Sequence, residues 1–165
     1  NKNRRLNLNK YSKNIEKILI KNKSKIIFEP GRSIIGNSGF LISKVIYIKE
    51  GHKKDFIILD AAMNDLMRPA LYNANHRIIP ANKNNKKAKK TYEFVGPICE
   101  STDKFSTLKN FQELKEKEII IMSDVGAYGM SLSSNYNVRP KALEILIKGS
   151  KIKIIRKRQK YNDLI

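Results

Sequence analysis

Apolar residues recur at helical spacing through Tyr11, Ile15, Ile18 and Leu19, so residues 11–21 are predicted to form an amphipathic helix. A short apolar run, Lys25–Phe28, stops at Glu29-Pro30-Gly31 and reads as a buried strand. Helix, short loop, strand is the rhythm of an α/β unit. After Gly36-Asn37-Ser38-Gly39 the pattern changes. Phe40–Lys49 is rich in β-formers, with Phe40, Ile42, Ile46 and Ile48 alternating onto one face. Gly51-His52-Lys53-Lys54-Asp55 reads as a hairpin connection to a return strand, Phe56–Leu59. Further strand signals lie at Arg77–Pro80, Thr91–Val95 and Ile119–Met122. Ala142–Ile147 and Lys151–Ile155 flank a turn at Lys148-Gly149-Ser150. Asn82–Lys90, dominated by lysine and asparagine, reads as a solvated connector. The expectation is a mainly β chain with short helices (α+β): mostly antiparallel strands from residue 38 onward, closed or nearly closed into a barrel or sandwich.

A chain of 165 residues, 41% hydrophobic, is long enough for a real core. Its formal net charge is +19, from 34 Lys and Arg against 15 Asp and Glu. That excess invites a nucleic-acid reading, but the basic residues are spread from Lys2 to Lys160 and no zinc spacing or aromatic RNA-binding strand accompanies them. Specific nucleic-acid binding is therefore not expected. The single cysteine excludes an internal disulfide framework and fits a reducing, cytoplasmic compartment. No apolar run approaches the roughly 18 residues that span a membrane, and Asn1–Asn9 has no apolar segment of the signal-peptide kind. The chain has no initiator methionine and is expected to begin mid-protein.

Four polar stretches interrupt the apolar pattern at strand ends, where scaffolds tend to place sites. In Glu29-Pro30-Gly31-Arg32 the glycine allows close approach to the backbone, Arg32 can grip an anion, and Ser33 to Gly36 could add backbone N–H groups. A Pro-Gly turn beside a solvated arginine reads equally from the same residues. In Asp60 to Tyr72, Arg68 precedes Pro69 and is expected to be extended. Arg68 and Tyr72 can both donate to one carboxylate, or can be a surface arginine and a core tyrosine. In Gly96-Pro97-Ile98-Cys99-Glu100-Ser101-Thr102-Asp103, taken as a short strand between two loops, the thiol can give up a proton near neutral pH or simply pack as a small hydrophobe. In Asp124-Val125-Gly126-Ala127-Tyr128-Gly129 the glycines allow a tight turn that presents the Tyr128 hydroxyl. His52 and His76 have no cysteine or second histidine at ligand spacing, so no metal site is assigned.

Taken in this order, Glu-Pro-Gly-Arg, Met-Arg-Pro-Ala-Leu-Tyr, Cys-Glu-Ser-Thr-Asp and Gly-Ala-Tyr-Gly resemble the diaminopimelate decarboxylases. These belong to the pyridoxal-phosphate-dependent decarboxylases of alanine-racemase-like fold. Tyr136-Asn137 and Arg139-Pro140 fit as well, and the resemblance covers nearly the whole chain. It implies that residues 1–37 are the last helix and strand of a cofactor-binding (β/α) barrel of TIM type, and that 38–165 are the C-terminal β domain. By the same resemblance Glu29, Pro30, Gly31 and Arg32 line the phosphate of pyridoxal 5'-phosphate, with Arg32 also reaching the substrate. Arg68 and Tyr72 hold the substrate carboxylate, Glu100 pairs with the ammonium at the non-reacting end, and Tyr128 touches both cofactor and substrate. Cys99 gives the proton that completes conversion of meso-2,6-diaminopimelate to L-lysine. A two-fold homodimer is implied in which Cys99 and Glu100 serve the partner's site.

The family's Schiff-base lysine, stacking histidine and glycine-rich phosphate loop have no counterpart here, so the chain by itself is expected to be inactive. Ornithine and related decarboxylases have Cys-Asp where this chain has Cys99-Glu100, and they lack the arginine equivalent to Arg68. That pair favours a substrate with an amino acid at both ends. An ornithine- or arginine-type decarboxylase, a β-domain module without catalysis and a basic nucleic-acid binder are the competing readings.

Overall fold

A computed structural model describes residues 7–23, 25–84 and 88–165. The chain divides into two compact units, Asn1–Pro30 and Gly31–Ile165. The N-terminal stretch Asn1–Leu6 and positions 85–87 of the expected Asn82–Lys90 connector lie outside the described residues.

In the first unit the helix foreseen over 11–21 runs from Leu8 to Asn22 (α1). Asn7 caps it by accepting from the Lys10 amide at 3.0 Å, and Lys23, left-handed at φ 50°, ends it. The Tyr11 ring meets Phe28 at 6.1 Å between centroids. Lys25–Phe28, expected as a buried strand, has no regular secondary structure, and Ile27 is 81% exposed. A strand exists through its hydrogen-bonded neighbours, and among the described residues none pairs with this run.

The second unit opens with a one-turn helix, Arg32–Ile35 (α2), and a 3-10 turn, Gly36–Ser38. Its six-stranded sheet is built from Phe40–Lys49 (β1), Asp55–Leu59 (β2), Ile78–Pro80 (β3), Lys89–Val95 (β4), Lys104–Gln112 (β5) and Ile119–Ser123 (β6), in the order β3-β6-β1-β2-β4-β5. A hairpin, Glu144–Lys148 (β7) with Lys151–Arg156 (β8), turns at Gly149 with φ 59°. Ile145 faces Ile154 and Ile147 faces Ile152 across it. The mainly-β architecture with short helices is as expected, and every pair except β2–β4 is antiparallel.

The exception matters for the site. A parallel pair cannot be joined by a tight hairpin and needs a crossover. Here the crossover from β2 to β4 passes through a third helix, Arg68–Tyr72 (α3), and through β3. The core beneath it comprises Val45, Ile57, Leu59, Leu66, Phe94, Ile120 and Met122, all fully buried. Tyr92, Phe94 and Phe111 pack edge-on with centroids 5.2 to 6.3 Å apart. Each such side chain contributes roughly 1.5–3 kcal/mol through removal from water.

One expectation about the sheet is corrected, and one strand, β5, was not foreseen. The apolar alternation of β1 points the other way: Phe40 and Ile42 are exposed, whereas Ser43 and Val45 are buried. Ser43 tolerates burial because its hydroxyl donates to Asp60 at 2.6 Å and accepts from the Ala61 amide at 3.1 Å. A register shift between Val45 and Tyr47 then changes the phase of the strand. Strand β5 carries no alternation strong enough to announce it; Phe105, Leu108 and Phe111 are three apart, and Asn110 at φ 56° breaks its regularity.

Candidate active site

The crossover sets Arg68 at the start of α3, with Pro69 in the first turn. Arg68 was expected to be extended, yet it is helical. Proline in a first helical turn sacrifices no hydrogen bond and brings a helix-compatible φ, which outweighs the pre-proline preference here. The burial is also the reverse of the simple alternative of surface arginine and core tyrosine. Arg68 is 9% exposed, and Tyr72, at the end of the same helix, is 66% exposed.

No carboxylate pairs with Arg68 among the described residues. Its polar neighbour is His76, whose Nε2 lies 3.4 Å from Arg68 Nη1. His76 Nδ1 lies 3.0 Å from the Ser123 carbonyl, to which it donates. His76 is buried, and burial is the main force holding its pKa below the ordinary value; the Arg68 charge pushes the same way, while the Ser123 carbonyl and Asp124 oppose it. A guanidinium keeps its charge at any ordinary pH. Buried without a counter-ion, it is electrostatically incomplete and suited to receive an anion.

Ser123 ends β6, and the next residues form the Asp124–Gly129 turn. This turn is docked on the start of the unit: the Val125 amide donates to the Gly39 carbonyl at 3.1 Å and the Gly126 amide to the Gly36 carbonyl at 2.9 Å. Any Cβ at Gly126 would run into the Ile35 carbonyl, so the close approach requires glycine. Tyr128 is left-handed at φ 60°, a strained setting for a bulky residue. Its hydroxyl sits over Gly31, 3.3 Å from where a Cβ would stand. The Arg32 stem lies across Gly36. Gly31, Arg32 and Tyr128 thus come from distant sequence positions to one end of the unit. Glu29 and Pro30 are exposed in the first unit.

Cys99 and Glu100 form a second group. Cys99 is exposed, in a bend rather than the short strand expected. The bend closes around Asp103, which is 4% exposed. One Asp103 oxygen accepts from the Met63 amide at 2.7 Å and the other from the Ile98 amide at 2.8 Å. The Gly96 amide donates to the Asp103 carbonyl at 3.0 Å, and the Asp103 amide to the Glu100 carbonyl at 3.0 Å. These local bonds take the place of a strand ladder. Burial raises the Asp103 pKa, against the lowering effect of the two amides. Glu100 Oε2 accepts from the Tyr136 hydroxyl at 3.3 Å. Tyr136 stands two residues after Ser134, whose amide donates to the Asn64 carbonyl at 3.0 Å.

The two groups are not joined: among the described residues no hydrogen bond or ion pair links Cys99 or Glu100 to Arg32, Arg68 or Tyr128. His76 carries no sequence signal for its place here, because its partners stand at 68 and 123. Asp103 and Tyr136 sit inside motifs, but their roles depend on contacts with Met63 and Glu100. Among the described residues no three His, Cys, Asp or Glu side chains gather as a metal site, and no helix is long and apolar enough to cross a membrane.

A sheet domain that offers an unpaired buried arginine, a glycine-arginine-tyrosine corner and an exposed thiol beside a carboxylate fits one side of a binding site for an anionic substrate. Comparison with known proteins gives that class a family. Residues 11–126 match the model of the pyridoxal-dependent decarboxylase C-terminal sheet domain, and the chain belongs to that family. It is 46% identical over 143 residues to the diaminopimelate decarboxylase of Aquifex aeolicus, covering 87% of this chain and 34% of that protein. It is 42% identical over 152 residues to the diaminopimelate decarboxylase of Neisseria meningitidis, covering 92% of this chain and 37% of that protein. The crystal structure of diaminopimelate decarboxylase from Helicobacter pylori complexed with L-lysine superposes with a TM-score of 0.86 at 42% identity, over 99% of this chain and 40% of that one. The chain spans about a third of the length of the curated relatives it matches.

Proposed function

We propose that this chain is the C-terminal sheet domain of a cytoplasmic enzyme that decarboxylates meso-2,6-diaminopimelate to L-lysine with pyridoxal 5'-phosphate. The observation that carries the reading is Arg68: a buried guanidinium with no carboxylate of its own. A substrate that keeps a carboxylate at its non-reacting end supplies the missing charge, and L-lysine, the product, retains that carboxylate.

Gly31, Arg32 and Tyr128 suit a phosphate. The Tyr128 hydroxyl lies where a Cβ at Gly31 would crowd it, and Arg32, the next residue in the chain, adds a cationic donor of the kind that binds phosphate. With Glu29 and Pro30 preceding them in sequence, they are assigned the phosphate of the cofactor. When bound, the cofactor supplies the electron sink that makes loss of CO₂ feasible. The chain's own residues bind, orient and protonate. Arg68 and Tyr72 donate to the retained carboxylate, and Arg32 and Tyr128 add donors near the cofactor. Glu100 accepts from the ammonium beside that carboxylate, with Tyr136 steadying its second oxygen. The Cys99 thiol gives its proton to the carbon that has lost CO₂.

Cys99 and Glu100 are assigned to the site of a second copy in a homodimer. Support comes from the exposure of Cys99 and from the absence, among the described residues, of any hydrogen bond or ion pair between its loop and the Arg68 group. A two-fold dimer would then build two equivalent composite sites.

The test is turnover by the full-length protein that carries this chain. It is expected to release CO₂ from meso-diaminopimelate and form L-lysine. Arg68→Ala is expected to lower kcat/KM on the order of 100-fold, mainly through KM, because it removes a charged bidentate donor. Unchanged turnover in Arg68→Ala would contradict the assignment.

A further inference from the structure

We infer that His76 is a positioning residue that sets the direction of the Arg68 guanidinium for a carboxylate ligand. The inference rests on the reading that Arg68 holds the substrate carboxylate and adds what aims it.

Three features of the structure lead there. A carbonyl oxygen only accepts, so the 3.0 Å contact with Ser123 requires the proton on His76 Nδ1. In the neutral ring this leaves the lone pair on Nε2, facing Arg68 Nη1 at 3.4 Å. A protonated ring would instead set two N–H donors, and two positive charges, against each other.

The anchor behind His76 is firm. Ser123 is paired to Phe40 of β1, and its amide donates to the Arg77 carbonyl at 2.9 Å. By contrast α3 has only five residues and is held at its end by left-handed Asn73. So short a helix fixes an arginine side chain poorly by itself. The relay from β6 through Ser123 and His76 ties the direction of Arg68 to the sheet. The Asp124 carboxylate, the acid whose charge acts on the ring, already accepts from the Ser123 hydroxyl at 2.8 Å. It forms no ion pair with Arg68. The neutral imidazole therefore holds the guanidinium in place without neutralising it, and its remaining donors stay available to an incoming carboxylate.

The experiment compares His76 variants of the full-length enzyme for inhibition by L-lysine, which carries the carboxylate, and by 1,5-diaminopentane, which does not. His76→Phe is expected to weaken L-lysine inhibition about tenfold, the scale of one hydrogen bond to a charged group. Inhibition by 1,5-diaminopentane is expected to stay within about twofold. His76→Gln puts an acceptor where Nε2 stood and is expected to restore L-lysine binding. His76→Asn preserves only the Nδ1 side and is expected not to restore it. Equal weakening of both inhibitors, or rescue by asparagine rather than glutamine, would overturn the inference and leave His76 a purely structural residue.

If Arg68→Ala also leaves L-lysine inhibition unchanged, the reading of Arg68 itself fails. If Arg68→Ala weakens it and His76→Phe does not, only the positioning role fails. Should His76→Phe not fold, nitrogen-15 spectra of the wild-type ring decide the point. A neutral ring protonated at Nδ1 is expected, and protonation at Nε2 would overturn the inference.

Discussion

Arg68, at the start of α3, and Cys99, on the bend before β5, belong to one sheet domain and are held in opposite ways. Arg68 is buried, and a chain of contacts runs from it through His76 to Ser123 at the end of the interior strand β6. Cys99 is exposed, on a bend shaped by one buried carboxylate, and among the described residues no hydrogen bond or ion pair joins it to the Arg68 group. The first region offers a buried guanidinium that no carboxylate pairs with among the described residues. The second presents an exposed thiol. On the proposed reading the two halves of the chemistry meet only when a second copy brings them together.

The sharpest way to break the contrast is to remove the thiol. In the full-length enzyme Cys99→Ala is expected to lower kcat roughly a thousandfold, within the range for losing a general acid. KM for diaminopimelate should change less than about threefold, the opposite of the Arg68→Ala pattern. A Cys99→Ala enzyme that altered KM alone would place the thiol in binding rather than proton transfer.

A smaller effect is expected from the support of the thiol loop. Asp103→Asn keeps the shape but offers an amide N–H to one of the two backbone amides that the carboxylate accepts. The cost is about 2 kcal/mol of stability, the penalty for one buried unpaired donor. It should appear as a lower urea midpoint at unchanged slope. A midpoint equal to wild type would mean that the bend does not depend on Asp103.

The smallest effect is a pH slope at the Arg68 side. His76 is held below its ordinary pKa of 6.5, first by burial and then by Arg68. In the unfolded chain the ring takes up a proton near that value; in the folded chain it does so only at lower pH. Between the two the unfolded state binds more protons, so stability present above about pH 6.5 is lost as pH falls through that range. The urea midpoint of wild type should fall between about pH 7.5 and 5.5 more steeply than that of His76→Phe. Equal slopes would contradict the buried neutral ring.

Much of this contrast was legible in the residues, and the failures have physical causes. Strand β1 was placed at its observed ends, because a long β-branched run bounded by glycine and by a Gly-His turn reads plainly. Its buried face was not legible: a buried serine satisfied by Asp60, followed by a register shift, inverts the simple alternation. Lys25–Phe28 reads as a strand because apolar runs look alike, whereas a strand needs partners that no local pattern supplies. The motif residues themselves were visible, since glycine, proline, arginine and tyrosine interrupting strands stand out. The burial of Arg68 and the place of His76 were not, because His76 is anchored on Ser123, a residue 47 positions further on, and Arg68 meets it only in the folded chain.

The central claim, that Arg68 and Cys99 of one chain serve different sites, is tested most directly with a dimer carrying Arg68→Ala in one copy and Cys99→Ala in the other, isolated through two different tags. Assayed with diaminopimelate well below KM, where both kcat and KM losses register, each parent variant is expected to be nearly inactive. The mixed dimer should hold one unaltered composite site and recover about half of wild-type turnover per dimer. Turnover no higher than that of the parent variants would mean that both residues act in the same chain's site, and would contradict the account.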